Sequence, residues 1–210
     1  MIKLIAISGL YGSGKTTQAY YLAKYMESKG LSVKIVHLES PNLLAYLVWK
    51  TLGKLGHKPQ LIRNNYGIKF WLLLEIYCLF LKILIIKLIS LFYNIIIAEP
   101  YIIDCIVTIA IYHVRNVTFV KSNLADLLLR FIPRNSLIIY LNVDAETATL
   151  RRIKRRTPND LGIIEKKVDR WSKLKKPLYD YLASKTGACI INGNLSITEV
   201  HKMIVKNLKI

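Results

Sequence analysis

The apolar positions of this chain fall into short, nearly unbroken runs separated by longer segments of helical period. Residues 2–7 (Ile-Lys-Leu-Ile-Ala-Ile) form an almost wholly apolar run of strand length, the pattern of a strand buried on both faces of a parallel sheet. Thr17 to Ser28 reads as a helix, with Leu22, Tyr25 and Met26 at helical spacing and Gly30 where a C-cap is expected. Leu31 to Leu38 reads as a second strand, ended by Glu39-Ser40-Pro41-Asn42. Leu43 to Leu55 reads as a helix and Gly56-His57-Lys58-Pro59 as a break. Tyr101 to Asp104 reads as a third strand ending in a carboxylate, and Leu137 to Val143 as a fourth. Ser122 or Asn123 caps a helix through Arg130, and Asp144 caps another that carries Arg151, Arg152, Arg155 and Arg156. Thr157 to Gly162 breaks that helix. Ile163 to Ala183 is helical with a kink expected at Pro177, Ala188 to Ile191 is a fifth strand, and Ser196-Ile197-Thr198-Glu199 is a capping box opening a last helix. Strands alternating with helices imply a three-layer α/β architecture on a parallel sheet, as one domain over residues 1–210.

Ile68 to Ala98 is the most apolar segment, and it is read as one long helix or a broken pair. Glu75, Lys82 and Lys87 interrupt it, so no uncharged run approaches the ~18 residues of a membrane span. At ~100° per residue, Lys69, Glu75, Lys82, Lys87, Ser90 and Asn94 fall within an arc of roughly 140°. The remaining apolar arc is wider than one core face requires, which points to a second packing surface such as a dimer interface.

Chemistry enters with Gly9-Leu10-Tyr11-Gly12-Ser13-Gly14-Lys15-Thr16-Thr17, which fits G-x-x-x-x-G-K-[ST] between the first strand and the first helix. In such a loop the backbone N–H groups turn inward and make an anion-holding concavity, aided by the positive end of the helix. Lys15 is placed to reach the β- and γ-phosphates of ATP, and the Thr16 hydroxyl to ligate Mg²⁺. Asp104, as an acid at a strand end, is a second candidate beside the Mg²⁺; the alternative is an Asp capping the next turn.

Composition narrows the partners. The net charge is +18, and residues 151–176 hold eleven basic and three acidic residues, a phosphate-facing region or a solvated helical face. Cys78, Cys105 and Cys189 are widely spaced with no C-x-x-C, as expected of reduced thiols in a cytoplasmic protein. The four histidines show no metal spacing, and no secretory signal is visible.

The chain resembles the thymidylate kinase family of phosphate-loop nucleoside monophosphate kinases. Gly9 to Gln18 follows that family's loop; Val143, Glu146, Ala148, Arg151 and Arg155 match its Val-x-x-Glu-x-Ala-x-x-Arg-x-x-x-Arg; Ser196, Ile197, Glu199 and Val200 match its closing Ser-Ile-x-Glu-Val. The resemblance implies a five-stranded parallel sheet flanked by helices, a short lid at about 152–163, and a homodimer. It also implies ATP with Mg²⁺, lid arginines (Arg151, Arg155, Arg156) on the transferring phosphate, and adenine contacts from Asn192, Gly193 and Asn194. Three positions depart from the family: Tyr11 replaces the loop's acid, Asp104-Cys105-Ile106 stands where Asp-Arg-Tyr is expected, and the Arg-Glu-Pro after the second strand survives only as Leu38-Glu39-Ser40-Pro41. Transfer to a nucleoside monophosphate, dTMP foremost, is therefore the leading expectation. A related kinase with another nucleotide or nucleoside acceptor, and an inactive ATP-binding paralogue, stand beside it. A small nucleotide rather than a nucleic acid is the expected partner.

Overall fold

In the computed structural model of the chain, residues 3–37, 67–154 and 161–208 are described. The expected helix at 43–55, the break at 56–59 and residues 155–160 of the expected lid, Arg155 and Arg156 among them, lie outside them.

Five strands make one wholly parallel sheet: β1 (Leu4–Gly9), β2 (Val33–Val36), β3 (Ile95–Ala98), β4 (Ser136–Asn142) and β5 (Cys189–Asn192). Their order is β2-β3-β1-β4-β5, with Ala6 of β1 paired to Ala98 on one side and Ile138 on the other. This is the three-layer α/β architecture on a parallel sheet that the alternation of elements implied. Among the described residues the helices are α1 (Lys15–Ser28), α2 (Gly67–Ile89), α3 (Ile102–Thr108), α4 (Asn123–Leu129), α5 (Ala145–Ile153), α6 (Leu161–Thr186) and α7 (Ile197–Asn207). A π-helical turn (Ile109–Val114) continues α3 and ends at Arg115, whose φ is 55°.

The pleat of β1 divides the core. Leu4 and Ala6 face α2, α3 and α6, packing with Ile83, Ile103, Val107 and Leu182. Ile5 and Ile7 face α1 and α7, packing with Leu22, Met26 and Ile204. Every residue of β1 is buried, which fixes the height and direction of the loop that follows it. Gly30 has a φ of 79° just beyond α1, and the Ser196–Glu199 capping box opens α7, both as the sequence indicates. Pro177 lies inside α6.

Two expectations are corrected. The third strand is Ile95–Ala98, not Tyr101–Asp104, so the long helix stops at Ile89. Four apolar residues of a buried strand carry no period of their own, and the run merged with the helix before it. Tyr101 instead caps α3 and Asp104 is its third residue: the Tyr101 N–H donates to Asp104 Oδ2 at 3.1 Å. The triplet that follows the third strand is thus Glu99-Pro100-Tyr101, where the resemblance leads one to expect Asp-Arg-Tyr.

One member of the expected polar arc of α2 turns inward, while Lys87 stays exposed. Glu75 is buried, whereas Leu73, Tyr77, Phe80, Leu84 and Leu88 are exposed. Cys78, Leu79, Ile83 and Ile86 pack into the core, so this helix is apolar on its outward side as well as its inward one. Among the described residues no helix is long and apolar enough to cross a membrane.

Candidate phosphate-binding site

The site stands at the carboxyl end of the sheet, where β1 ends at Gly9 and α1 begins at Lys15. Backbone space is the tightest constraint there. A Cβ on Gly12 would lie 2.3 Å from the Ala148 carbonyl oxygen, and its φ is 90°. A Cβ on Gly9 would lie 2.8 Å from the Leu141 carbonyl oxygen, at a φ of 150°. Only glycine combines these angles with so close an approach to α5 and β4. Across the loop, the Lys15 ammonium donates to the carbonyls of Gly9 (2.8 Å) and Leu10 (3.1 Å). Among the described residues the buried Ser13 hydroxyl has no hydrogen-bond partner. Thr16 is exposed at the start of α1, and Gln18 ties that helix to α7 through the Ile197 carbonyl at 2.9 Å.

Asp104 anchors the loop from α3. Its Oδ1 accepts from the Gly9 N–H at 3.4 Å and from the Tyr179 hydroxyl at 3.0 Å, and lies 3.9 Å from the Lys15 ammonium. Burial first, and the Asp104 charge next, hold the Tyr179 phenol well above its ordinary range, so it stays a donor. The neighbouring Cys105 thiol is pushed up to about 12, chiefly by burial, and is not a thiolate near neutral pH. Just beyond β3, Glu99 holds a buried carboxylate 3.0 Å from His37 Nδ1.

The arginines of α5 part company. Arg151 donates to the carbonyls of Gly193 (2.7 Å) and Asn194 (3.3 Å), joining α5 to the loop between β5 and α7. That loop is further held by the Gly193 N–H on the Asn142 carbonyl (2.8 Å) and by Asn194 on Asp144 (2.6 Å). Arg151 and the Asn192–Asn194 loop are therefore brought together. Arg152, about 100° further round the helix, turns to the phosphate loop, its guanidinium 5.4 Å from the Tyr11 ring centroid.

Tyr11 gathers two more cations. The Lys15 ammonium is 5.3 Å and the Lys175 ammonium 5.1 Å from the same centroid. Lys175 also stands 4.6 Å from the ring of Tyr112, which leans on Trp171 at 5.2 Å. Burial lowers Lys175 from 10.5 to about 8; Asp104 opposes this shift, while Lys15 and Arg152 add to it. Beside these rings a cleft of 380 Å³ is lined by Ala110, Ile111, Tyr112, Arg115, Val117, Trp171 and Leu174. Sequence reasoning did not find Arg152, Lys175 or Glu99. Lys175 sits in a lysine-rich segment with nothing to single it out, and Glu99 was hidden by the misplaced third strand.

No protein-family model matches the sequence, and no curated protein sequence matches it. Solved structures do. Deoxyadenosine kinase from M. mycoides with bound dATP is 20% identical, with a TM-score of 0.60 over 99% of this chain and 100% of that one. The same kinase with bound dCTP is 18% identical, with a TM-score of 0.58 over 98% of both chains. Thymidylate kinase from Ehrlichia chaffeensis is 22% identical, with a TM-score of 0.60 over 99% of this chain and 98% of that one. At these identities the likeness is one of fold.

Proposed function

We propose that this chain is a phosphate-loop kinase that moves the γ-phosphoryl group of ATP to a nucleoside monophosphate, dTMP first among the acceptors. The observation that carries the reading is the glycine loop wedged between α5 and β4, its open side facing Lys15 and Arg152.

The chemistry asks little of the protein beyond charge and alignment. A monophosphate acceptor is already ionised near neutral pH and needs no general base. Two polyanions must be brought together, so fixed positive groups contribute most. Lys15, whose ammonium reaches back to the Gly9 and Leu10 carbonyls at the start of the loop, is the residue for the β- and γ-phosphates. Arg151 braces the Asn192–Asn194 loop against α5 and so positions it for the adenine. Arg152 is the described arginine that reaches the loop, and Arg155 and Arg156 are proposed for the transferring group.

The residues present fit Mg²⁺. Among the described residues no cluster of three His, Cys, Asp or Glu would hold an ion alone. A cation that keeps several waters and leans on phosphate oxygens needs no such cluster. Thr16 would hold it, and Asp104, whose oxygens already serve Gly9, Tyr101 and Tyr179, would act through water. Bound there, Mg²⁺ supplies charge neutralisation to the phosphates.

A hydroxyl acceptor, as on a deoxynucleoside, is the second reading. Pro100 removes the arginine that would grip an acceptor phosphate, and the buried Glu99 carboxylate at the end of β3 is a candidate base. We further propose a homodimer seated on the outward apolar face of α2, where Leu73, Tyr77, Phe80, Leu84 and Leu88 recur at helical spacing.

ADP release measured over a panel of nucleoside monophosphates and deoxynucleosides tests the function. Turnover with dTMP alone supports the first reading, and turnover with another acceptor moves it to the second. ATP binding without any turnover leaves a binding paralogue, and no response to ATP overturns all of them.

A further inference from the structure

A buried ammonium normally finds a carboxylate or a set of carbonyls, because an uncompensated charge is costly to take out of water. Lys175 is only 4% exposed, and among the described residues its ammonium meets two aromatic rings, Tyr11 and Tyr112, and no carboxylate. Its charged neighbours make matters worse. Lys15 and Arg152 crowd the same Tyr11 ring, all three cationic groups lying within 5.4 Å of its centroid. Among the described residues Asp104 is the opposing charge acting on Lys175, and it is engaged by Gly9 and Tyr179. Ring faces offset part of this repulsion, but far less than an anion would. The three cations come from three different elements, the start of α1, the last turn of α5 and the middle of α6. They converge on one wall of the glycine loop, where the Ser13 hydroxyl is also buried and, among the described residues, unpartnered.

We propose that Lys175 is a phosphate-binding residue, whose ammonium, held between Tyr11 and Tyr112, closes on an oxygen of the polyphosphate gripped by the loop. The inference deepens the kinase reading and rests on its phosphate loop. It assigns α6 a direct part in the site, and it assigns Tyr11, which replaces the family's acid, the task of gathering the cations. An arriving phosphate supplies the counter-charge that Lys175 lacks, so binding favours its protonated form. Among the described residues the groups that face it are Tyr11 from the loop, Lys15 from α1, Asp104 from α3, Tyr112 from the π-helical turn and Arg152 from α5.

The test is ATP binding by calorimetry at pH 7.5 and 9, with the wild-type chain, Lys15→Ala, Lys175→Met and Lys175→Arg. Methionine keeps the length and apolar stem of the lysine, so K175M is expected to fold and to bind ATP about 10-fold or more weakly at pH 7.5. K175R keeps the charge and is expected to bind within about threefold of wild type, with little change between the two pH values. Wild type is expected to weaken as the pH rises through Lys175's range. Wild-type-like affinity in K175M, or, should that variant not fold, a wild-type affinity as flat with pH as that of K175R, overturns the role of Lys175. If K15A loses binding while K175M keeps it, the loop stands and Lys175 falls; if wild type does not bind ATP, the kinase reading itself falls, and Lys175's role with it.

Discussion

The two sides of the sheet's carboxyl end are built differently. On the side of β4 and β5, the Asn192–Asn194 loop is cross-braced by Arg151, Asn142 and Asp144, and neutral hydrogen bonds and one charged fork leave little to move. On the side of β3, α3 and α6, polar groups are buried against rings: Glu99 beside His37, Asp104 under the loop, Lys175 between Tyr11 and Tyr112. The first side is the one where the residues match the kinase family's pattern, and the second is where they depart from it. The first side is held by satisfied hydrogen bonds, whereas the second also holds Lys175, a buried ammonium in a poorly compensated place. Such places are expected where a ligand completes the electrostatics.

The largest effect that would break this contrast is at Lys15, whose ammonium ties the loop's carbonyls beside Asp104. Lys15→Ala should lower turnover by about 10²–10³-fold or more without unfolding the chain, measured by ADP release together with a melting curve. Unchanged turnover would remove the loop from the mechanism. Next comes Gly12→Ala, whose added methyl meets the Ala148 carbonyl at 2.3 Å. It should cost about 3 kcal/mol or more, or displace α5 from the loop, as read by urea unfolding and ATP affinity. A neutral result would mean that the loop is not packed as described.

Asp104→Asn probes the β3 side. It weakens the cap of α3 and the hold on Gly9, and a loss of about 1–2 kcal/mol is expected in denaturant. The same variant should raise the Mg²⁺ requirement, and an unaltered Mg²⁺ titration would confine Asp104 to its structural contacts. The pH dependence sharpens the contrast further. Lys175 titrates near 8 in the folded chain against 10.5 unfolded. Between those values the unfolded chain retains a proton that the folded one has released, so this group makes stability rise with pH over that window. K175M should be at least as stable as wild type below pH 8 and should lack this slope; an identical slope in both would reject it. Smallest is Arg151→Met, expected to raise the KM for ATP several-fold, about 1 kcal/mol, with kcat little changed.

Much of this was legible in the sequence. The loop, four of the five strands, the caps at Ser122 and Ser196 and the glycine after α1 all announce themselves through local rules. The third strand did not, because Ile95–Ala98 adjoins a helix as apolar as itself, and Tyr101–Asp104 imitated a strand with its β-branched residues. Pro100, which punctuates the chain just before Tyr101, was the signal that separates them. The cluster around Tyr11 was beyond reach for a different reason. Tyr11, Arg152 and Lys175 are far apart in sequence, and only the folded sheet brings them to one ring.

The central claim is that residues 9–17 hold the triphosphate of ATP while its terminal phosphoryl group is passed on. Incubating the protein with γ-labelled ATP, Mg²⁺ and the acceptor panel, alongside the Lys15→Ala variant, tests it directly. The account predicts label appearing in a phosphorylated nucleotide with the wild-type chain and none above background with the variant. Equal transfer by both proteins would contradict it.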